Sequence, residues 1–465
     1  REATGRPGDD RVTIQPPEGQ RGANLRRWLT PGIGVKRWLL MTFAGCLVLA
    51  LGVAHVVRQA TRDVEPTGLA GTALDVITLQ FLPYPLRGLI VGLVGIGLIG
   101  FGAYRTIRAL ASPFLPSAGG RLVELIYQRK SLARGPRIVV IGGGTGQSML
   151  LRGLKAHTSN LTAIVAVADD GGSSGVLRDQ LAIPPVGDIR RCLAALADDE
   201  TLVGEVLEHR FAGSPSDPAP EAGGPLGGHP LGNILLAAMT QLQGGDFEEA
   251  VRLANRVLAV RGQVLPAAAT PLTMHARLSD GTVLNGQSVI TRAKGIVETW
   301  ITPGDVPASE DALAAIADAE LIVLGPGSVY TSVLPTLLLP EFRRALAESS
   351  ALRVFVCNVA TQPGETEGMN LADHVAAVVK HVGSGIVDVV LANNRLLVNG
   401  LNAPSEPVGL SWAPDVLPLP TLVLDNVVDA SAPLRHDPRR VAAAVVKILE
   451  REGSARRRAA MSRIA

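Results

Sequence analysis

Six stretches of this 465-residue sequence place glycine beside hydroxyl, carboxylate, amide or guanidinium groups, most of them at the ends of apolar runs. The first is Ile141-Gly142-Gly143-Gly144-Thr145-Gly146-Gln147-Ser148. Glycines allow positive φ and close approach, and the N–H groups and dipole of a following helix favour phosphate. Neither common phosphate fingerprint fits. G-x-G-x-x-G needs glycine where Gln147 stands, and a P-loop needs lysine before Ser148. A tight strand-to-helix turn is the plain alternative. The second stretch is Asp169-Asp170-Gly171-Gly172-Ser173-Ser174-Gly175, with Asp169 placed 23 residues after Gly146. That is close to the ~20 that put an acidic group on a ribose hydroxyl. Asp169 and Asp170 together equally suit a Mg²⁺ that bridges phosphate oxygens, and Asp-Gly and Gly-Gly also simply make turns.

Asp188, Arg190 and Arg191 precede an apolar helix, where Asp188 serves as readily for an N-cap as for a ligand group. His229, in Gly228-His229-Pro230-Leu231-Gly232-Asn233, suits a general acid or a phosphate donor, although a lone histidine is more often structural. Gly325-Pro326-Gly327-Ser328, continuing to Ser332, forms a second anion nest. Asn358, Thr361 and Gln362 follow a further apolar run. Each stretch is weak alone, and their common place at strand ends is what points to one site. No Ser-His-Asp motif, G-x-S-x-G elbow or H-E-x-x-H pair occurs, so hydrolytic nucleophile chemistry has no support.

The elements that must position these loops are short apolar runs alternating with helical stretches. Strands are expected at 137–141, 161–168, 321–324, 353–357, 386–391 and 421–424, and helices at 147–156, 234–242, 371–381 and 439–449. Fully apolar, β-branched strands of this kind imply an α/β, Rossmann-like, doubly wound and mostly parallel sheet covered on both faces. Residues 274–291 break the rhythm, with Asp280-Gly281 marking a hairpin continued by 296–301 as a small antiparallel insert. Residues 212–228 form a Pro/Gly-rich loop.

Composition narrows the classes. A net charge of +2 and 3% aromatic residues argue against a nucleic-acid partner. Cys46, Cys192 and Cys357 lie far apart, which fits neither a disulfide framework nor a cysteine zinc site. Mean hydropathy is +0.26, high for an ordinary soluble enzyme. Much of the surplus lies in two uncharged runs, 38–57 and 88–104, of 20 and 17 residues. A helix of about 20 residues spans the hydrocarbon of a bilayer. The expectation is a two-helix transmembrane hairpin over 35–110, in contact with the lipid bilayer. Flanking Arg and Lys place both termini, and the main domain, in the cytoplasm at the cell membrane. The remaining divisions are a disordered basic tail at 1–34, a linker with a short amphipathic helix at 111–134, the main domain at 135–451 and a basic tail at 452–465.

Taken in order, IGGGTGQS (141–148), VADDGGSSG (167–175), GDIR (187–190), GHPLGN (228–233), GPGSVYTS (325–332) and CNVATQPGET (357–366) resemble the YvcK-like gluconeogenesis-factor family. That family belongs to the CofD-like superfamily with 2-phospho-L-lactate transferase, and the resemblance covers about residues 135 to 451. It implies a Rossmann-like core binding a nucleotide-linked ligand, UDP-N-acetylglucosamine and less clearly NAD(P), with a role linking carbon metabolism to cell-wall synthesis and cell shape. On this chain the implied cradle is Gly143, Gly144 and Thr145 with their flanking Gly142 and Gly146, beside the acidic pair Asp169 and Asp170. Ser173, Ser174, Asp188, Arg190, His229, Asn233, Gly325, Gly327, Ser328 and Asn358 fall in the other matching motifs. Arg435, in Leu434-Arg435-His436-Asp437, matches a pattern whose arginine contacts the sugar nucleotide, while Asp437-Pro438 also reads as an N-cap and first helical residue. Three departures stand out: the extension ahead of residue 135, Arg191 where Asn is expected, and Val186 before GDIR.

Three functions are therefore open: a UDP-sugar-binding regulator without turnover and with no certain cofactor, a Mg²⁺-dependent phosphotransferase holding its metal on Asp169 and Asp170, and an NAD(P)-binding oxidoreductase. A homo-oligomer is compatible with all three.

Overall fold

The structure is a computed structural model, and the residues it describes are 130–211, 226–396 and 405–464, with side chains to 452, plus single positions 46, 47, 50, 83 and 100. The expected membrane spans, the N-terminal tail, most of the linker and most of the 212–228 loop lie outside the described residues. No helix among the described residues is long and apolar enough to cross a membrane. All the elements below lie in the unit Ser131–Ala465.

Ten strands are described, in chain order β1 (Ile138–Gly142), β2 (Leu161–Val165), β3 (Gln263–Pro266), β4 (Thr273–Leu278), β5 (Val283–Asn285), β6 (Ile296–Thr302), β7 (Leu321–Leu324), β8 (Leu352–Val356), β9 (Val389–Asn393) and β10 (Thr421–Asp425). Seven of them form a wholly parallel sheet in the order β3-β2-β1-β7-β8-β9-β10. With β4–β6 set aside, this is the 3-2-1-4-5-6 order of a doubly wound nucleotide-binding fold plus one strand, and it reverses between β1 and β7. Every residue of β1, β2 and β7 is buried, so both faces of the sheet centre are covered. The edge strand β10 is half open to solvent.

The helices that matter for the loops are α1 (Gly144–Leu154), α2 (Gly172–Leu181), α3 (Gly187–Leu196), α4 (Glu200–Glu208), α5 (Leu231–Leu242), α6 (Phe247–Val257) and the short α7 (Gln287–Ile290). They are followed by α8 (Glu310–Asp318), a π-helical turn Val329–Val333, α9 (Leu334–Leu337), α10 (Pro340–Glu348), α11 (Leu371–Val382) and α12 (Pro438–Ile464). α1 packs on α3 and on α12. Gly153 makes the second contact close, because a Cβ there would stand 1.9 Å from the Pro438 carbonyl oxygen.

The hairpin forms where Asp280-Gly281 marks it. Gly281 takes φ +86°, the Asp280 carboxylate accepts from the Thr282 N–H at 2.9 Å, and β5, β4 and β6 make the antiparallel insert. Several expected bounds shift. β2 stops at Val165 rather than 168, because residues 166–171 leave the sheet to form the acidic loop. β3 has no counterpart among the expected strands, being four residues long and ending in proline. α12 continues past residue 449 to Ile464, so the tail expected from 452 is backbone-helical, in keeping with its Ala- and Arg-rich sequence. Asp437 does cap this helix, accepting from the Arg439 and Arg440 N–H groups at 2.9 and 3.1 Å.

Candidate functional site

A cavity of about 470 Å³ opens at the carboxyl ends of β1, β2 and β7, where the strand order reverses. Its floor is the turn into α1. The N-cap Gly143 offers no side-chain cap and Gly144 takes φ +66°, while the Asp188 carboxylate stands at this N-terminus and accepts from the Gly144 N–H. Gly146 is required for a different reason: a Cβ there would lie 2.3 Å from the Pro326 carbonyl oxygen, and this close approach joins the β1 and β7 loops. α2 enters the same cavity and is likewise opened by a glycine without a side-chain cap, Gly171. Two helix N-termini thus face one space, a geometry whose dipoles favour negative charge. Arg191 and Arg210 stand on its wall.

The acidic pair divides. Asp169 lines the cavity, its Oδ1 accepting from the Gly171 N–H at 2.9 Å in a local turn. Asp170 turns away to the insert, where its Oδ1 accepts from the Ser288 N–H at 2.8 Å in the first turn of α7. Asp188 does line the cavity and is not the N-cap of α3, which is Val186. The Gly187 N–H is met instead by Ser174 Oγ at 3.1 Å. Burial pushes the Asp188 carboxyl pKa up and Asp169 adds to this, against the pull of Arg191, which donates to it at 2.7 Å. Among the described residues no group of three or more His, Cys, Asp and Glu side chains converges as a metal site.

Arg190 reaches the cavity but is spent on protein partners. Its guanidinium forks onto both Glu208 carboxylate oxygens at 3.1 and 3.0 Å and donates to Asn233 Oδ1 at 2.6 Å. Asn233 Nδ2 passes the chain on to Ser173 Oγ at 2.9 Å, which pairs with His229 Nδ1 at 2.8 Å. Four of the expected residues thus form one hydrogen-bonded file from α3 through α5 to α2. His229 meets the site through Ser173 and is not itself on the cavity wall.

On the β7 side, Ser328 caps the π-helical turn by accepting from the Thr331 N–H at 2.9 Å. Its hydroxyl donates to Glu365, which also accepts from the Tyr330 N–H at 2.9 Å. Glu365 is only 3% exposed, and burial raises its pKa against the hydrogen bonds that hold the carboxylate. Gly327 lies on the wall and its N–H reaches Asn358 Oδ1 at 3.3 Å, so Asn358 braces the loop from outside the cavity.

The cavity therefore gathers Gly143, Gly144, Thr145, Gly146, Asp169, Ser173, Ser174, Asp188, Arg190, Asn233, Gly327 and Ser328 of the expected residues. Gly142, Asp170, His229, Gly325 and Asn358 stand behind or beside its wall, and Arg435 is an exposed turn residue with its N–H on the Ala432 carbonyl. Sequence reasoning missed Arg210, Gln287, Thr291 and the supporting Glu208 and Glu365. Gln287 and Thr291 come from the antiparallel insert, which carries no strand-end signal. Glu365 lies inside the quoted CNVATQPGET stretch, but only the fold brings it under Ser328.

The family model for CofD, described as 2-phospho-L-lactate transferase CofD, matches residues 138–410, more than half of the chain. The chain belongs to this family. Within it, a Bacillus subtilis protein named gluconeogenesis factor is 42% identical over 326 residues, which cover 68% of this chain and 98% of that one. A relative from Nostoc sp. is 41% identical over 430 residues, 90% of this chain and 92% of its own. Residues 135–465 are 331 of the 465, so that match extends into the segment before the glycine loop, and the extension is shared with at least one CofD-family relative. A solved structure from Bacillus halodurans, described as a member of the UPF0052 family, superposes with a TM-score of 0.61 at 41% identity, covering 67% of this chain and 99% of that one. The Rossmann-like fold expected from the apolar runs is the fold of this CofD-family domain.

Proposed function

We propose that this gluconeogenesis-factor homologue binds a nucleoside-diphosphate sugar, UDP-N-acetylglucosamine, in the strand-end cavity, and that binding regulates carbon and cell-wall metabolism without turnover of the ligand. The observation that carries the reading is the meeting of the glycine-opened N-termini of α1 and α2 in one cavity walled by Arg191 and Arg210. Such N–H groups and guanidiniums suit a diphosphate. Absence of turnover is supported by how the titratable side chains are used: Arg190 is held by Glu208, Asp188 by Arg191, and His229 by Ser173. The carbon-metabolism role comes from the name of the relatives. Calorimetric titration of the full chain with UDP-N-acetylglucosamine tests it, and no heat of binding at millimolar ligand rejects it.

A phosphotransferase is the second reading, favoured by the name of the matching family model and by the facing of Asp169 and Asp188 on the cavity. Asp169 with Asp188, rather than with Asp170, is the carboxylate pair placed to meet a Mg²⁺, which would neutralise the charge of a diphosphate. Asp169 would also fix the orientation of the α2 turn through Gly171. Mg²⁺-dependent consumption of a nucleoside-diphosphate donor with a hydroxyl acceptor would favour this reading over the first.

We further propose that residues 38–57 and 88–104 tether the protein to the cell membrane, with both termini on the cytoplasmic side. Support comes from their length, lack of charge and flanking basic residues. Release of the full-length chain from membranes by alkaline carbonate would count against the tether.

A further inference from the structure

The polar side chains around the cavity are nearly all engaged. Arg190, Asn233, Ser173, Ser174, Ser328 and Asp188 each have a protein partner. Gln287 on the opposite wall donates to the Thr331 carbonyl at 3.0 Å. Gln362 differs. It lines the cavity, and its side-chain oxygen Oε1 is closed off from solvent with no hydrogen-bond partner among the described residues. Its backbone is fixed, because the Gln362 N–H donates to Thr366 Oγ1 at 2.9 Å and the preceding Thr361 N–H to the Glu406 carbonyl at 2.8 Å. A buried carbonyl oxygen without a donor is costly, and native structures rarely leave one so. The terminal torsion of glutamine is soft, so the carboxamide can turn onto a donor that enters the cavity.

Position says which part of a ligand that donor belongs to. Gln362 follows β8, on the far side of β7 from the glycine loop, whereas Asp169 follows β2 on the near side. In doubly wound sheets a ligand lies across the point of strand reversal. A diphosphate held by α1 and α2 therefore has Asp169 towards one end and Gln362 towards the other. We infer that Gln362 selects the group beyond the diphosphate, through a hydrogen bond between its carboxamide and an N–H or O–H donor of a sugar. This rests on the nucleoside-diphosphate reading of the same cavity and adds to it the residue that tells a nucleotide sugar from a bare nucleotide.

The test compares UDP with UDP-N-acetylglucosamine on the full chain, by calorimetry, for the wild type, Gln362→Leu and Gln362→Asn. The wild type should bind the sugar nucleotide more tightly than UDP. Gln362→Leu, similar in volume but without the amide, should bind UDP-N-acetylglucosamine about tenfold more weakly, the loss of one hydrogen bond to a buried group. Its UDP affinity should change far less, and Gln362→Asn should recover part of the difference. Thermal melting of each variant separates misfolding from lost recognition. A Gln362→Leu protein that keeps the full advantage of the sugar, or that loses both ligands equally while melting like the wild type, overturns the inference. So does a wild type that gains nothing from the sugar. A wild type that binds neither ligand overturns instead the nucleotide reading beneath it.

Discussion

The Gln147 side-chain amide, in the first turn of α1, donates to the Ile164 carbonyl of β2 at 2.9 Å. The same nitrogen donates to the Val140 carbonyl of β1 at 2.8 Å, and the side chain is wholly buried. Gln147 stands where the dinucleotide fingerprint has its third glycine, so the departure from the motif is a brace tying both strands beneath the glycine loop. Removing two buried hydrogen bonds costs about 2 to 3 kcal/mol. Gln147→Ala should lower the unfolding free energy in urea by that amount. Gln147→Gly, which restores the fingerprint, should lower it at least as much and produce no NAD(H) fluorescence change.

Gly146 sets the distance between the two loops that frame the cavity. Alanine there places a Cβ 2.3 Å from the Pro326 carbonyl oxygen, a backbone atom that can yield only by moving the β7 loop. Gly146→Ala should cost about 2 kcal/mol, as overpacking does, and should weaken UDP-N-acetylglucosamine binding. Gly153→Ala, whose Cβ would meet the Pro438 oxygen at the α1–α12 contact, should destabilise without that selective loss. Paired melting and titration curves would expose a failure of this contrast.

Glu365 supports the hydroxyls of the β7 loop from below. Glu365→Gln keeps an acceptor for the Tyr330 N–H and removes a buried charge, so its stability should stay within about 1 kcal/mol of the wild type. Glu365→Ala leaves the buried Tyr330 N–H without its acceptor and Ser328 with Thr331 alone, and should cost about 1 to 3 kcal/mol. Equal losses for the two variants, read from chemical denaturation, would contradict the supporting role.

His436 contributes stability that should fall on mild acidification. His436 is buried, with Nε2 3.1 Å from the Cys357 carbonyl, and burial lowers its pKa to about 4. The unfolded chain takes up the proton near its usual ~6.5, while the folded chain resists until near 4. Between those values the unfolded state holds more protons, so stability is complete above about pH 6.5 and is lost as pH falls towards 4. The loss is on the order of 3 kcal/mol. His436→Gln should flatten this slope in urea titrations run across that range.

The sheet was legible because β1, β2 and β7 are short runs dominated by β-branched and aliphatic residues, and the hairpin because the glycine of Asp280-Gly281 readily takes the positive φ that a tight turn needs. The site was legible to the extent that ligand loops follow strands, as Gly143, Asp169 and Gly327 do. What escaped depends on partners far away in sequence. Nothing local distinguishes Asp169 from Asp170, and it is Ser288 in the insert that draws one of them off. Arg190 reads as a free anion binder until Glu208 and Asn233 arrive to occupy it. Glu365 carries no local signal, and its role appears only when the π-helical turn is laid over it.

The central position of β1 has a consequence for synthesis. One edge of β1 pairs with β2, which follows at once, but the other waits for β7, with Ile138 opposite Leu321, 183 residues later. A chain leaving the ribosome must therefore carry an apolar strand with one unpaired edge while those residues are made, a state open to wrong pairing. The crevice between the glycine loop and Gly327 does not exist until β7 docks. On the proposed function, ligand recognition is thus a property of the finished domain, and a chain halted before residue 321 would expose β1 to aggregation.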